Sequence, residues 1–146
     1  MTEVSERLIA PCGLYCGDCP FYKGEVADLA RDLRAKLREY RFDKIAEAIP
    51  FKVFEGYSTC YETLGGMVKL RCRRGCRAGG PPCNVKDCAA RRGLAGCWEC
   101  DEFASCKKLE KRLAVAHGTG HLYNLRKLKR RGVEAFLAGP RKWYQK

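Results

Sequence analysis

Ten of the chain's eleven cysteines fall into two stretches, 12–19 and 72–106, and that crowding restricts the fold more than any other feature. A chain of 146 residues buries only a modest core, so it gains from covalent or metal staples. Disulfides and thiolate-bound metals are the two staples open to cysteine, and the redox compartment selects between them. Met1 to Pro11 lacks a basic flank followed by an apolar run and a cleavage signature, so no secretory signal is expected. No run approaches the roughly 18 apolar residues of a membrane helix. The expectation is a cytoplasmic protein whose clustered thiols stay reduced and act as metal ligands.

The spacing supports that chemistry. Near the N-terminus stand Cys12, Cys16 and Cys19; later come Cys72 and Cys76, Cys83 and Cys88, Cys97 and Cys100, and Cys106. Two cysteines separated by two residues wrap one ion, because a tight turn brings both sulfurs together. Cys16/Cys19 and Cys97/Cys100 have that spacing, and Gly13, Gly17, Gly75 and Gly96 supply permissive backbone beside the cysteines. Five of the ten lie before residue 80 and five after it, each group with one tight pair. Two structural zinc sites of the four-thiolate kind would use eight of them, with the pairing left open. Cys60 stands apart, on one helical face with Leu64, Met67 and Val68, and is expected in the core.

Hydrophobic spacing predicts a helix over Gly24 to Tyr40 with Val26, Leu29, Ala30, Leu33 and Leu37 recurring on one side. A short helix carries Ile45, Ala46 and Ile49 up to Pro50, and Phe51 to Glu55 has an extended character. Thr59 and Glu62 fit a capping box for a helix from about Cys60 to Leu70. From Arg71 to Cys106, seven cysteines, five glycines and Pro81–Pro82 indicate loops, with a short helix after Asn84. Ser105 caps a helix with Leu109 and Leu113 inward, and His121 to Arg131 and Val133 to Leu137 form a last pair broken at Gly132. The expected fold is mainly α, small and irregular: short helices around two thiolate metal sites with little or no sheet. It reads as one domain, 1–146, with a basic helical segment at about 107–146.

The run Cys12 to Cys19, the block Cys72 to Cys106 with Cys97-Trp98-Glu99-Cys100-Asp101-Glu102-Phe103, and the tail from Asn124 to Leu137 together resemble a bacterial and archaeal family. That family is domain of unknown function 3795. The resemblance runs from about Cys12 to Tyr144 and implies that the cysteines are metal ligands; it implies no reaction. The family's middle pair has a two-residue gap, whereas three residues separate Cys72 from Cys76 here.

Competing chemistries share some of these residues. Cys12-x3-Cys16-x2-Cys19 matches the spacing of radical S-adenosylmethionine enzymes, but the chain is too short for their barrel and has Asp18 before the last cysteine. A set of four thiolates suits an iron–sulfur cluster as well as zinc, and a small iron–sulfur protein stays among the alternatives. Charge raises another. Residues 1–70 carry ten basic and eleven acidic side chains, a balance of −1, while residues 71–146 carry nineteen and six, a balance of +13. Arg126, Lys127, Lys129, Arg130 and Arg131 on one predicted helix suit a nucleic acid or another polyanion, although a solvated basic face is the simpler reading and ranks ahead of it. No catalytic constellation is legible. His117 and His121 flank a flexible Gly-Thr-Gly and are expected at a cap or on the surface, and Asp101 and Glu102 are expected to offset arginines. The resulting expectation is structural zinc, about two ions, with no membrane partner.

Overall fold

The computed structural model describes residues 3–146. Its helices in chain order are α1 (Glu3–Arg7), α2 (Pro20–Lys23), α3 (Glu25–Glu39), α4 (Phe42–Ala48), α5 (Tyr57–Val68), α6 (Gly75–Ala78), α7 (Asn84–Arg91), α8 (Lys107–His117) and α9 (Gly120–Ala138). Short 3-10 turns cover Cys16–Asp18, Lys52–Gly56, Cys97–Glu99 and Phe103–Ser105. The chain is mainly helical with little sheet: among the described residues, the isolated β-bridges are Ile9 with Tyr15 and Gly118 with Gln145. It divides into two compact units, Lys23–Cys72 and a larger one made of the residues before and after it.

In the Lys23–Cys72 unit, α3 turns Ala27 and Ala30 inward and leaves Leu29 71% and Leu33 49% exposed. The predicted helix is present, but its inner face is set by small residues. The reason is close approach to α5. Arg34 lies over the Tyr61 ring at 4.4 Å, Arg38 donates to the Tyr61 hydroxyl at 2.8 Å, and a Cβ on Gly65 would sit 3.1 Å from the Arg34 guanidinium. Helix α5 begins at Tyr57, so Thr59 lies inside it and accepts at its carbonyl from the Thr63 hydroxyl; the capping box does not form. Phe51 to Glu55 is not extended but enters a 3-10 turn. Its Phe54 joins a run of ring contacts through Phe42 and Tyr57 to Tyr61. Cys60 is exposed, a correction to its expected core position, because Tyr57 and Tyr61 take the packed side of α5.

The larger unit contains the main core: Leu14, Val85, Phe103, Leu109, Leu113 and Leu125, with Cys12, Cys83, Cys97, Cys106 and Trp98 packed against it. A second cluster joins Ile9, Leu128 and Phe136. Sulfurs and apolar side chains therefore share one interior. Helix α9 breaks at Gly132, whose φ of 78° and ψ of 178° suit only glycine, which separates the two predicted helical segments. The C-terminal strip returns along α8 and α9. Gln145 N–H donates to the His117 carbonyl at 3.2 Å, and Thr119 N–H donates to the Gln145 carbonyl at 2.7 Å.

Asn124 fastens this strip. It is fully buried, donates through Nδ2 to the Lys142 carbonyl at 2.8 Å and accepts the Lys142 N–H at Oδ1 at 2.9 Å. Asn124→Ala deletes both bonds and leaves a polar-lined gap, so unfolding free energy should drop by about 1–3 kcal/mol. Denaturant titration measures it. A drop below about 0.5 kcal/mol, the size of an ordinary surface substitution, would contradict the clamp.

Candidate metal centre

Both tight cysteine pairs adopt the same local structure. Cys16–Asp18 and Cys97–Glu99 are single 3-10 turns, closed by Cys19 N–H to the Cys16 carbonyl at 3.0 Å and by Cys100 N–H to the Cys97 carbonyl at 3.1 Å. Such a turn sets two cysteine side chains on one side of a compact loop. The two loops are also tied together, since Cys97 N–H donates to the Pro11 carbonyl at 2.8 Å. Gly13 permits that arrangement: its φ is 85°, and a Cβ there would meet Leu125 at 2.8 Å and the His121 carbonyl at 3.3 Å. Arg141 braces the first loop with a two-point contact to Asp18, Nε to Oδ2 at 2.8 Å and Nη2 to Oδ1 at 3.2 Å, while stacking over Tyr15.

Nine of the ten predicted ligands line two clefts of the larger unit. The first cleft, about 330 Å³, is lined by Cys12, Cys16, Cys19, Cys76 and Cys83 together with His117. The second, about 360 Å³, is lined by Cys88, Cys97, Cys100 and Cys106. Cys83 thus sits with the N-terminal cysteines, and the division at residue 80 gives way to sets of five and four. Helix α7 causes the split. Cys83 precedes its first residue and Cys88 lies within it, and five residues correspond to about 140° around a helix axis. Cys72 belongs to the Lys23–Cys72 unit and lines neither cleft.

The sulfurs are not drawn into a coordination cage: among the described residues, no group of three or more His, Cys, Asp or Glu side chains is arranged to hold a metal ion. In the first cleft two sulfurs meet each other instead. Cys76 N–H donates to Cys16 Sγ at 3.3 Å, and the Cys76 thiol donates to the same sulfur. This holds the Cys16 thiol below its ordinary range and the Cys76 thiol well above it. Burial pushes Cys12 and Cys97 up to about 12. In the second cleft two cations reach sulfur: Arg92 Nη1 lies 2.9 Å from Cys100 Sγ, and Lys108 Nζ lies 3.4 Å from Cys88 Sγ. Arg92 also pairs with Glu102 at 3.0 Å, as expected for that carboxylate, and Asp101 pairs with Lys129 at 2.8 Å. The donor chemistry of both clefts fits a soft, thiophilic ion, even though the sulfurs stand apart along the walls.

The bracing role of Arg77 and the burial of the histidines escaped the sequence reading. Arg77 donates to the carbonyls of Ile9 and Ala95, each at 2.6 Å, and its guanidinium lies 5.7 Å from the Trp98 ring. It holds the two cysteine loops and α6 in register. His117 and His121 are 8% and 3% exposed, so neither lies on the surface; they stand instead at helix ends, His117 as the last residue of α8 and His121 in the first turn of α9. His117 Nδ1 faces the Trp143 carbonyl at 2.8 Å, and burial lowers the pKa of His121. Neither position has a sequence signal beyond helical spacing behind Leu109 and Leu113. On α9, Arg126, Arg130 and Arg131 are exposed with no ion pair among the described residues, while Lys127 is tied to the Pro140 carbonyl. A larger open hollow in the Lys23–Cys72 unit has aromatic walls and no cysteine, and its Asp43 and Glu47 are paired with Arg41 and Lys44.

Among the described residues no helix is long and apolar enough to cross a membrane. No curated protein and no solved structure matches the chain. One protein family does, over residues 8–111, a span that takes in all ten clustered cysteines. With that match, the chain belongs to the family described as "Protein of unknown function (DUF3795)".

Proposed function

We propose that this protein binds two zinc ions, one at each cysteine-lined cleft, and that the ions serve to hold the fold rather than to catalyse a reaction. The observation carrying this reading is the segregation of nine cysteines into sets of five and four, each set containing one tight pair. Four thiolates in a tetrahedron at about 2.3 Å complete a structural zinc site, and either set contains enough sulfur. A disulfide role fits less well, since all eleven cysteines carry free thiols. Cys88, Cys97, Cys100 and Cys106 hold the second ion, with Arg92 and Lys108 offsetting the negative charge of a tetrathiolate. The first ion draws on Cys12, Cys16, Cys19, Cys76 and Cys83. Because thiols such as Cys12 and Cys97 must lose protons to bind, loading releases protons and acid expels the ions.

The test is metal analysis and an absorption spectrum of protein purified without oxygen. Two zinc ions per chain in a colourless sample is the expected result. Iron with broad visible absorption would replace zinc by an iron–sulfur centre, and metal-free, folded protein would remove the reading altogether.

A further inference from the structure

We infer that the outer face of α9 docks on duplex DNA, gripping the phosphate backbone without reading bases. This surface draws on no cysteine and is independent of the zinc reading.

Helical spacing defines the face. His121, Asn124, Leu125 and Leu128 are buried, which turns Tyr123, Arg126, Lys127, Arg130 and Arg131 toward the opposite side, on an i, i+3, i+4, i+7, i+8 stripe. The three arginines are exposed, and Tyr123 and Lys127 are half-buried. The C-terminal strip adds a further exposed cation, Lys142, whose Nζ lies 5.7 Å from the Tyr123 ring. From Tyr123 to Arg131 the helix rises roughly 12 Å. A DNA duplex carries one phosphate charge per about 1.7 Å of its axis, so a rigid row of cations this long meets several phosphates at once.

These cations are not neutralised from within. Among the described residues Arg126, Arg130, Arg131 and Lys142 have no ion pair, and Glu134, the one carboxylate of α9, lies beyond the break at Gly132. Exposed cations elsewhere are paired locally: Arg31 with Asp32 at 2.9 Å, Lys36 with Glu39 at 2.7 Å and Lys44 with Glu47 at 3.0 Å. On α9 the neighbours one turn apart, Arg126 with Arg130 and Lys127 with Arg131, are like-charge pairs that weaken the helix. Burial and the nearby Arg131 and Arg141 charges lower the pKa of Lys127. A face that only keeps a chain soluble needs no such uniform row.

The same face discriminates among polyanions. A bilayer takes apolar side chains together with charge, and Leu125 and Leu128 of α9 are buried in the core. A single strand takes open rings on which bases stack, and Tyr123, half-buried beside Lys142, is the one ring on the stripe. A duplex backbone takes charge alone, laid along a convex rod.

Fluorescence anisotropy with a short labelled DNA duplex of mixed sequence, titrated with the full chain between about 50 and 200 mM salt, tests this. If Arg126, Arg130, Arg131 and Lys142 each neutralise one phosphate, log K should fall against log salt with a slope of roughly −3.5. The triple variant Arg126→Gln, Arg130→Gln, Arg131→Gln should bind on the order of tenfold or more weakly at low salt, with a slope near roughly −1. Should that variant fail to fold, Arg130→Gln alone should reduce the slope by about one. Arg31→Gln, Lys36→Gln, Lys44→Gln removes the same charge from cations that are already paired and should change the affinity by less than about twofold. No binding of wild type at about 50 mM salt, or equal weakening by the two triple variants, would overturn the inference. A single strand, anionic vesicles or polyglutamate binding as tightly as the duplex would also overturn it, by assigning the face to that partner.

Discussion

Complete removal of metal under reducing conditions at neutral pH should abolish most of the helical signal of the larger unit and expose Trp98 to water. The expectation follows from what the core is made of. Leu14, Val85, Phe103, Leu109, Leu113 and Leu125 form its centre, and four of the side chains packed around them are cysteines of the two clefts. Between Arg71 and Cys106 the chain forms two helices, four and eight residues long, too short to persist alone. Structural zinc contributes roughly 10–16 kcal/mol in small metal-dependent domains at neutral pH. A typical domain has only about 5–15 kcal/mol of net stability, so losing such a contribution leaves the apo form unfolded. Both tryptophans, Trp98 and Trp143, lie in the larger unit, which makes fluorescence a selective report on it. The Lys23–Cys72 unit has neither cleft and should retain part of its α3 and α5 signal. Circular dichroism and tryptophan emission unchanged after full metal removal would contradict this account.

Local period made much of the helical framework legible. The helices at 25–39, 107–117 and 120–138 follow from apolar spacing, and Gly132 marks its break because only glycine adopts the backbone found there. What failed was which face points inward. Of the expected inward residues Ala30 is buried, but Leu29 and Leu33 are exposed and Ala27 is buried in their place, because close helix approach selects small side chains over large ones. Cys60 failed for a related reason: Tyr57 and Tyr61 occupy the packed side of α5. The division into two units is invisible to composition, since no Gly/Ser- or Pro-rich linker marks residues 22–23 or 72–73.

At the candidate site the cysteines themselves were legible and their partnerships were not. Sequence distance suggested that Cys83 belongs with Cys88, but a helix turns its residues, and these two line different clefts. Cys16 and Cys76 touch across 60 residues, and Arg141 grips Asp18 across 123. No periodicity reports pairs of that kind. The buried histidines are a similar case, because His117 and His121 are fixed by the C-terminal strip and the helix junction rather than by local spacing.

The most direct test of two separately built sites is zinc per chain in cysteine variants that separate the clefts. Cys97→Ser or Cys88→Ser should each lose one ion, because the second cleft has four sulfurs and no reserve. Cys76→Ser with Cys83→Ser leaves three sulfurs in the first cleft and should also lose one. Cys60→Ala should lose none and cost little stability, as its side chain is exposed. The decisive protein is the triple variant Cys76→Ser, Cys83→Ser, Cys88→Ser. If the sulfurs divide as five and four, both sites are broken and the chain carries no zinc. A triple variant that still holds one ion would mean that Cys83 and Cys88 share a site, and the two-cleft account would be wrong.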